Sequence, residues 1–375
     1  MVYITIRQKQ KEEQLSWMDL IESETVYDCS SKGAAGTITR KYETVPEEFL
    51  NKINVQGMID ILKRFNKTHE DLFAAKRDTL YRHFSIPKKT GGLRPIDAPC
   101  DELKLALEEL GLILSERFGV LYHTSAFAYI ANRSTIQLVR KHQVNESNWF
   151  YKTDVSGFFP STTLEFTMKM VKMIFPLSEI CKDEEGYKEL KKALSLGFLN
   201  GVLPQGTPLS PKLTNIISIP IDHRLFNELA AKHIVYTRYA DDLHISCVQK
   251  FDPDKMTKYI EKVYKEFGAP WILKPEKTHF GNRKGHNGML GVVLNAENNI
   301  TTGYRNKKHF RGMTANLIMD YKNNKPWPVE DVMTYNGLLS YYKMVEKDYF
   351  ESIVDHYNKK FNVDLKTILK RMMNP

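Results

Sequence analysis

Three aspartates carry the chemistry of this sequence. Asp241 and Asp242 are adjacent in Tyr239-Ala-Asp-Asp242, between the runs His233-Ile-Val-Tyr-Thr-Arg-Tyr239 and Leu243-His-Ile-Ser-Cys-Val248. Both runs are rich in β-branched and aromatic residues, which predicts a hairpin. Two carboxylates at a tight tip repel each other unless a cation sits on them. Their hard oxygens select Mg²⁺ or Mn²⁺ over softer metals. Alone, an Asp-Asp pair is an ordinary polar turn. A third acid changes the weighing: Trp149-Phe-Tyr-Lys-Thr-Asp154 reads as a strand ending in a carboxylate, after which the chain turns at Gly157 and Pro160. Three such groups are what a pair of divalent cations about 3.5–4 Å apart needs to clamp an in-line phosphoryl displacement.

The elements that must position these acids follow from the flanking sequence. Tyr81 to Pro99 predicts two strands joined by the basic turn Lys88-Lys-Thr-Gly-Gly-Leu-Arg94, whose Lys88 and Arg94 suit a triphosphate. Asp101 to Phe118 has helical periodicity. Arg133-Ser134 opens another helix, where the arginine suits a phosphate backbone and the serine equally suits an N-cap. Phe159, five residues past Asp154, is placed to block a sugar 2′-hydroxyl by bulk, with core packing expected for at least one of Phe158 and Phe159.

Residues 162–196 predict helix, an acidic loop at Asp183-Glu-Glu-Gly186, and helix again. In Gly201-Val-Leu-Pro-Gln205-Gly206-Thr-Pro-Leu-Ser210-Pro211, Ser210 is the expected N-cap of a helix towards Lys232 that Pro220 interrupts. The glycine there lets the Gln205 amide approach a nucleotide or template base. Asp254 to Phe267 predicts an amphipathic helix, Lys277 suits equally a general acid for a leaving pyrophosphate or an ordinary exposed lysine, and Asn287 to Asn295 predicts a short hairpin. From Tyr304 the composition turns to basic helices.

Composition bounds these readings. The chain has 375 residues, 42% of them hydrophobic, enough for two or three units around a buried core. From Lys250 onward there are 22 Lys and Arg against 14 Asp and Glu, so +8 of the formal +9 lies in the last third and points to a polyanion. Cys29, Cys100, Cys181 and Cys247 are scattered, which favours a reducing compartment and argues against structural zinc. No signal-type or membrane-length apolar run is apparent, so a soluble, cytoplasmic protein without membrane partners is expected.

Taken in order, the motifs resemble a reverse transcriptase, and within that family the bacterial retron and phage-defence enzymes. The resemblance runs from Lys88 to Arg94, then Asp154-Val-Ser-Gly-Phe-Phe159, Leu203-Pro-Gln-Gly-Thr-Pro-Leu-Ser-Pro211, Tyr239-Ala-Asp-Asp242, Lys277-Thr and Leu290-Gly291, covering about residues 81–295. It implies an α+β, right-hand polymerase with fingers, a ferredoxin-like palm and a helical thumb. Residues 1–75 would be an N-terminal extension, 76–300 fingers and palm, and 301–375 the thumb.

It further implies that Asp154, Val155, Asp241 and Asp242 hold two Mg²⁺ (or Mn²⁺) ions and that Lys88, Arg94, Phe159, Gln205 and Lys277 meet the nucleotide. Arg133, Ser134, Tyr239, Leu290 and Gly291 would meet primer and template. The implied partners are dNTPs, a structured non-coding RNA serving as template and in some members as primer, its DNA product, and a toxic effector protein. Of the Asn-Ala-x-x-His block usual in retron enzymes the chain keeps only His142, and Asn287-Gly288-Met289 stands where they usually carry Val-Thr-Gly. An untemplated or protein-primed defence polymerase, and an RNA-binding scaffold restraining an effector, remain as alternatives.

Overall fold

The computed structural model describes residues 54–88, 91–285 and 288–373, so the Ser30–Gly36 loop, Cys29, Lys89 and Asn287 lie outside the described residues. Helix α1 (Val55–Thr68) is capped by Asn54 Oδ1, which accepts from the Gly57 N–H at 2.7 Å. It turns Met58, Ile59, Leu62 and Phe65 into the main core. Strands β1 (Tyr81–Pro87) and β2 (Leu93–Pro99) form the expected basic hairpin, and α2 (Asp101–Leu112) follows, ending in a π-helical turn over Ile113–Arg117.

Helix α3 (Thr135–Val144) opens on a capping box in which Ser134 Oγ accepts from the Gln137 N–H and Gln137 Oε1 from the Ser134 N–H. Next come β3 (Trp149–Ser156), α4 (Leu164–Val171) and α5 (Glu184–Ser195). The predicted acidic loop is in fact the start of α5, because Asp183 caps it through the Gly186 N–H and glutamates suit the positive end of a helix.

Helices α6 (Leu209–Ile217) and α7 (Ile219–Ala230) break at Ser218, and Pro220 falls in the first turn of α7, where a missing N–H costs nothing. Ser210 is not the predicted N-cap. It lies inside α6, and its Oγ donates back to the Pro204 carbonyl at 2.8 Å, while Thr207 Oγ1 accepts from the Ser210 N–H at 3.3 Å. The expected hairpin is β4 (Val235–Tyr239) and β5 (Asp242–Cys247). Helix α8 (Pro253–Phe267) starts at the Asp252 cap with proline at its head, stops at the left-handed Gly268 (φ 65°), and buries Met256, Ile260, Val263 and Tyr264 on one face. Each such side chain contributes about 1.5–3 kcal/mol on burial.

Strands β6 (Ile272–Leu273) and β7 (His279–Asn282) both pair with β3, giving an antiparallel sheet in the order β4-β5-β3-β6. With α4 to α7 between β3 and β4, and α8 between β5 and β6, this is the split β-α-β palm that the resemblance implies. Alternation sorts the two faces: Tyr151 and Val155 of β3 and Leu243 and Ile245 of β5 join the main core. Asp154, Asp242 and Phe150 point the other way.

That second face is covered by α3 and by a small sheet of β8 (Gly288–Met289), β9 (Val292–Leu294) and β10 (Ile300–Thr301), around Phe127, Leu138, Phe150 and Met289. Helices α9 (Tyr304–Lys322), α10 (Val329–Val345), α11 (Lys347–Phe361) and α12 (Leu365–Met373) have an apolar core of their own, centred on Phe310, Tyr335, Tyr342 and Phe350, as expected of a thumb. Among the described residues no helix is long and apolar enough to cross a membrane.

Candidate active site at the hairpin tip

Register brings the acids together. Tyr239 pairs with Asp242 across the β4-β5 hairpin, and Asp154 pairs with Asp242 across β3-β5. Directly opposed residues of an antiparallel pair have Cβ atoms about 4.5–5.5 Å apart. The Val155 N–H donates to the Asp241 carbonyl at 3.0 Å, which fixes the tip against β3. Ala240 is left-handed at the turn (φ 55°), a conformation costly for anything but glycine, so something must hold it.

The holder is Arg238, a buried guanidinium that sequence reasoning did not single out. Its Nη1 donates to the Ala240 carbonyl at 3.1 Å and to Asn215 Oδ1 at 3.1 Å. Its Nε and Nη2 grip Asp222 at 2.9 and 2.7 Å, and the Tyr236 hydroxyl donates to the same carboxylate at 2.8 Å. A charge in the middle of a strand of otherwise apolar and hydroxyl residues was the signal, since arginine is almost never fully buried unless paired. His142 braces the hairpin from α3, with Nδ1 2.6 Å from Ser246 Oγ and Nε2 2.8 Å from Thr237 Oγ1. Burial holds it well below the ordinary histidine range, so it is neutral.

The tip gathers negative charge in a buried setting. Burial, then Asp241 and Asp154, push Asp242 up to about 6 against the relief given by Lys277 and Lys152. Asp241 is raised by burial first and Asp154 second. Asp154, only 5% exposed, is met by two ammonium groups: Lys274 Nζ donates to Oδ1 at 2.6 Å and Lys277 Nζ to Oδ2 at 2.8 Å. The hydrogen bond to Asp154 raises Lys277 in turn. Lys274 was not picked out from the sequence.

Among the described residues no three His, Cys, Asp or Glu side chains close into one ligand set. Even so, the donors fit hard divalent cations. Burial and the neighbouring acids raise two of the carboxylates, and the third already takes a cation on each oxygen.

The remaining expected residues fall in several places. Lys88 and Arg94 are exposed on the β1-β2 hairpin. Phe158 is core against Trp271, while Phe159 is half-buried at the core's edge. The Gln205 carbonyl accepts from the Asp97 N–H at 2.7 Å, tying its loop to β2, and its residue lines a cleft with His83, Asp97, Pro160 and Leu203. Arg133 does not reach the acids: its Nη1 donates to the carbonyls of His123 and Ala126, and its Nη2 donates to Tyr122. Ser134 is spent on its cap. Tyr239 is half-buried at the tip, and Leu290 and Gly291 (φ 54° and 84°) form the β8-β9 turn, whose Leu290 carbonyl accepts from the Tyr341 hydroxyl at 3.4 Å.

Residues 86–297 match the family described as Reverse transcriptase (RNA-dependent DNA polymerase). The chain is similar to the retron Ec83 reverse transcriptase of Escherichia coli, 25% identical over 318 residues that span 80% of this chain and 95% of that one. It is 24% identical over 298 residues to the retron Ec73 reverse transcriptase of the same organism, spanning 76% of this chain and 89% of the relative. A solved telomerase from Candida albicans, in complex with a TWJ fragment of telomeric RNA, aligns over 78% of this chain and 60% of its own at 11% identity, with a TM-score of 0.45.

Proposed function

Because this chain belongs to the reverse transcriptase family, as a retron-type RNA-directed DNA polymerase, we propose that it copies a structured non-coding RNA into single-stranded DNA at Asp154, Asp241 and Asp242. The observation that carries the reading is the strand register, with Asp154 opposite Asp242 and Asp241 at the adjoining tip. The three carboxylates, with the Val155 carbonyl, would hold the divalent pair, Mg²⁺ before Mn²⁺. When bound, such a pair supplies Lewis-acid clamping of the attacking and leaving oxygens.

The chain's own residues do the rest. Lys88 and Arg94 anchor the triphosphate, the arginine by a two-pronged contact. Phe159 excludes a 2′-hydroxyl, Gln205 lines the base pocket, and Lys277 hands its proton to the departing pyrophosphate. Tyr239, Leu290 and Gly291 hold the primer end, and Arg133 and Ser134 brace the template side through the loop they order. Residues 76–300 act as fingers and palm and 301–375 as the thumb on the duplex. In the same reading the enzyme serves an anti-phage system with a toxic effector protein as partner; similarity to retron reverse transcriptases supports the retron setting alone.

The test is purified protein with template RNA, primer, dNTPs and Mg²⁺. Wild type makes template-dependent DNA, while Asp241→Ala and Asp242→Ala make none yet still bind the RNA. Undiminished synthesis in either variant would refute the reading. So would synthesis unaffected by changing the template.

A further inference from the structure

One aromatic residue beside the acids has no assigned role. Ser125 to Phe127 runs alongside β4: the Arg238 N–H donates to the Ser125 carbonyl at 2.7 Å and the Phe127 N–H to the Arg238 carbonyl at 2.9 Å. The pairing is parallel, with Ala126 against Arg238. Beyond this bridge the loop turns at Ala128 and Tyr129, as β4 turns at Ala240 just before Asp241. The step between them is bolted down, because Asn215 Nδ2 donates to the Ala128 carbonyl at 2.8 Å while Asn215 Oδ1 accepts from Arg238. Arg133 ties the same loop from its other end through the Ala126 and His123 carbonyls.

Tyr129 itself is left-handed (φ 58°), which is a true outlier for a bulky side chain, and its ring is 60% exposed. Exposed aromatics in strained, over-determined backbone cluster at sites that need a group held rigidly. Burial raises its hydroxyl first, with Asp241 and Tyr239 of the tip and Arg94 of the β1-β2 hairpin among its charged neighbours.

We propose that Tyr129 is a wall of the nucleotide-addition site, a rigid aromatic platform against which the base pair being formed is packed and its geometry checked. Every base has a π-face, so stacking on such a ring is tolerant of sequence and sensitive to misalignment. The strained loop keeps the ring from following a mispaired base. The inference rests on the polymerase reading and adds to it a residue that governs selection.

The experiment is single-nucleotide insertion on a primed RNA template with Mg²⁺, using wild type, Tyr129→Ala, Tyr129→Gly and Tyr129→Phe, for the correct and an incorrect dNTP. Ala and Gly should both raise the KM for the correct dNTP, by about 5- to 100-fold, with a smaller change in kcat. They should also lower the ratio of correct to incorrect insertion, and Phe should recover most of both losses. Glycine carries no left-handed penalty, so it keeps the comparison valid where alanine lowers the melting temperature. Wild-type behaviour of Gly beside an impaired Ala would make the residue a matter of backbone strain and overturn the proposal. Unchanged KM and selectivity in both would do the same. Asp241→Ala, run alongside, judges the polymerase reading on its own: inactivity there leaves that reading standing whatever Tyr129 does.

Discussion

Replacing Asp242 by asparagine should stabilise this protein while abolishing its activity. In the fold Asp242 takes up its proton near pH 6, against an ordinary value of 3.8. Between those two values the folded chain holds a proton that the unfolded chain has released, so stability falls as pH climbs through the window, and the penalty is complete above it. Each unit of displacement is worth about 1.36 kcal/mol, giving a ceiling of about 3 kcal/mol. Asp242 is half-buried and solvent screens part of the cost, so about 1–2 kcal/mol is the working figure.

Asparagine has the same shape and no charge to desolvate. In chelator at pH 8, chemical denaturation should find Asp242→Asn more stable by that amount, and at pH 4 the two proteins should coincide. Saturating Mg²⁺ should then raise wild type more than the variant, because a cation that binds only the folded chain stabilises it by mass action. A gap that is absent at pH 8, or that widens towards acid, would refute the reasoning about what the hairpin tip lacks.

Other outcomes follow from the same geometry. Arg238→Met leaves Asp222, which is fully buried, without its counter-charge and should cost about 3–5 kcal/mol in denaturant titration; adding Asp222→Leu should return much of the stability but not the activity, since the Ala240 carbonyl still lacks its donor. Phe159→Ala should shift the ratio of ribonucleotide to deoxynucleotide incorporation towards ribonucleotides by roughly 10- to 100-fold, read as relative kcat/KM. RNA affinity should fall steeply, about tenfold or more between roughly 50 and 200 mM salt, if the charged last third lies on the phosphate backbone; a flat profile would speak against that channel.

Much of this fold was legible because its signals are local. The hairpin at Asp241-Asp242, the strand that carries Asp154, which runs on to Ser156, and the amphipathic helix expected from Asp254 follow from propensity and periodicity over a few residues. The helix starts near Asp183 and Ser210 were misplaced by a few residues: Asp183 caps α5 where a loop was expected, and α6 opens ahead of Ser210, whose N–H is met by Thr207. What stayed hidden depends on register and long-range pairing. Lys274 meets Asp154 only because β6 lies beside β3, and the Arg238-Asp222-Asn215 network joins three elements that no spacing rule connects. Tyr129 is conspicuous by a backbone angle, which a sequence does not display.

Gly206 sits where an added Cβ would lie 2.8 Å from Ile96 Cγ2 and 3.1 Å from the Asp97 carbonyl, at a φ of 114°. The loop before α6 is therefore welded to the root of the β1-β2 ribbon, with the Gln205-Asp97 hydrogen bond as its seam. A ribbon anchored at its root cannot swing as a rigid lever. If Lys88 and Arg94 hold the triphosphate as proposed, their closing has to come from flexure along the outer half of the two strands, and the stiffness of that half, from Ser85 to Pro95, then sets the grip.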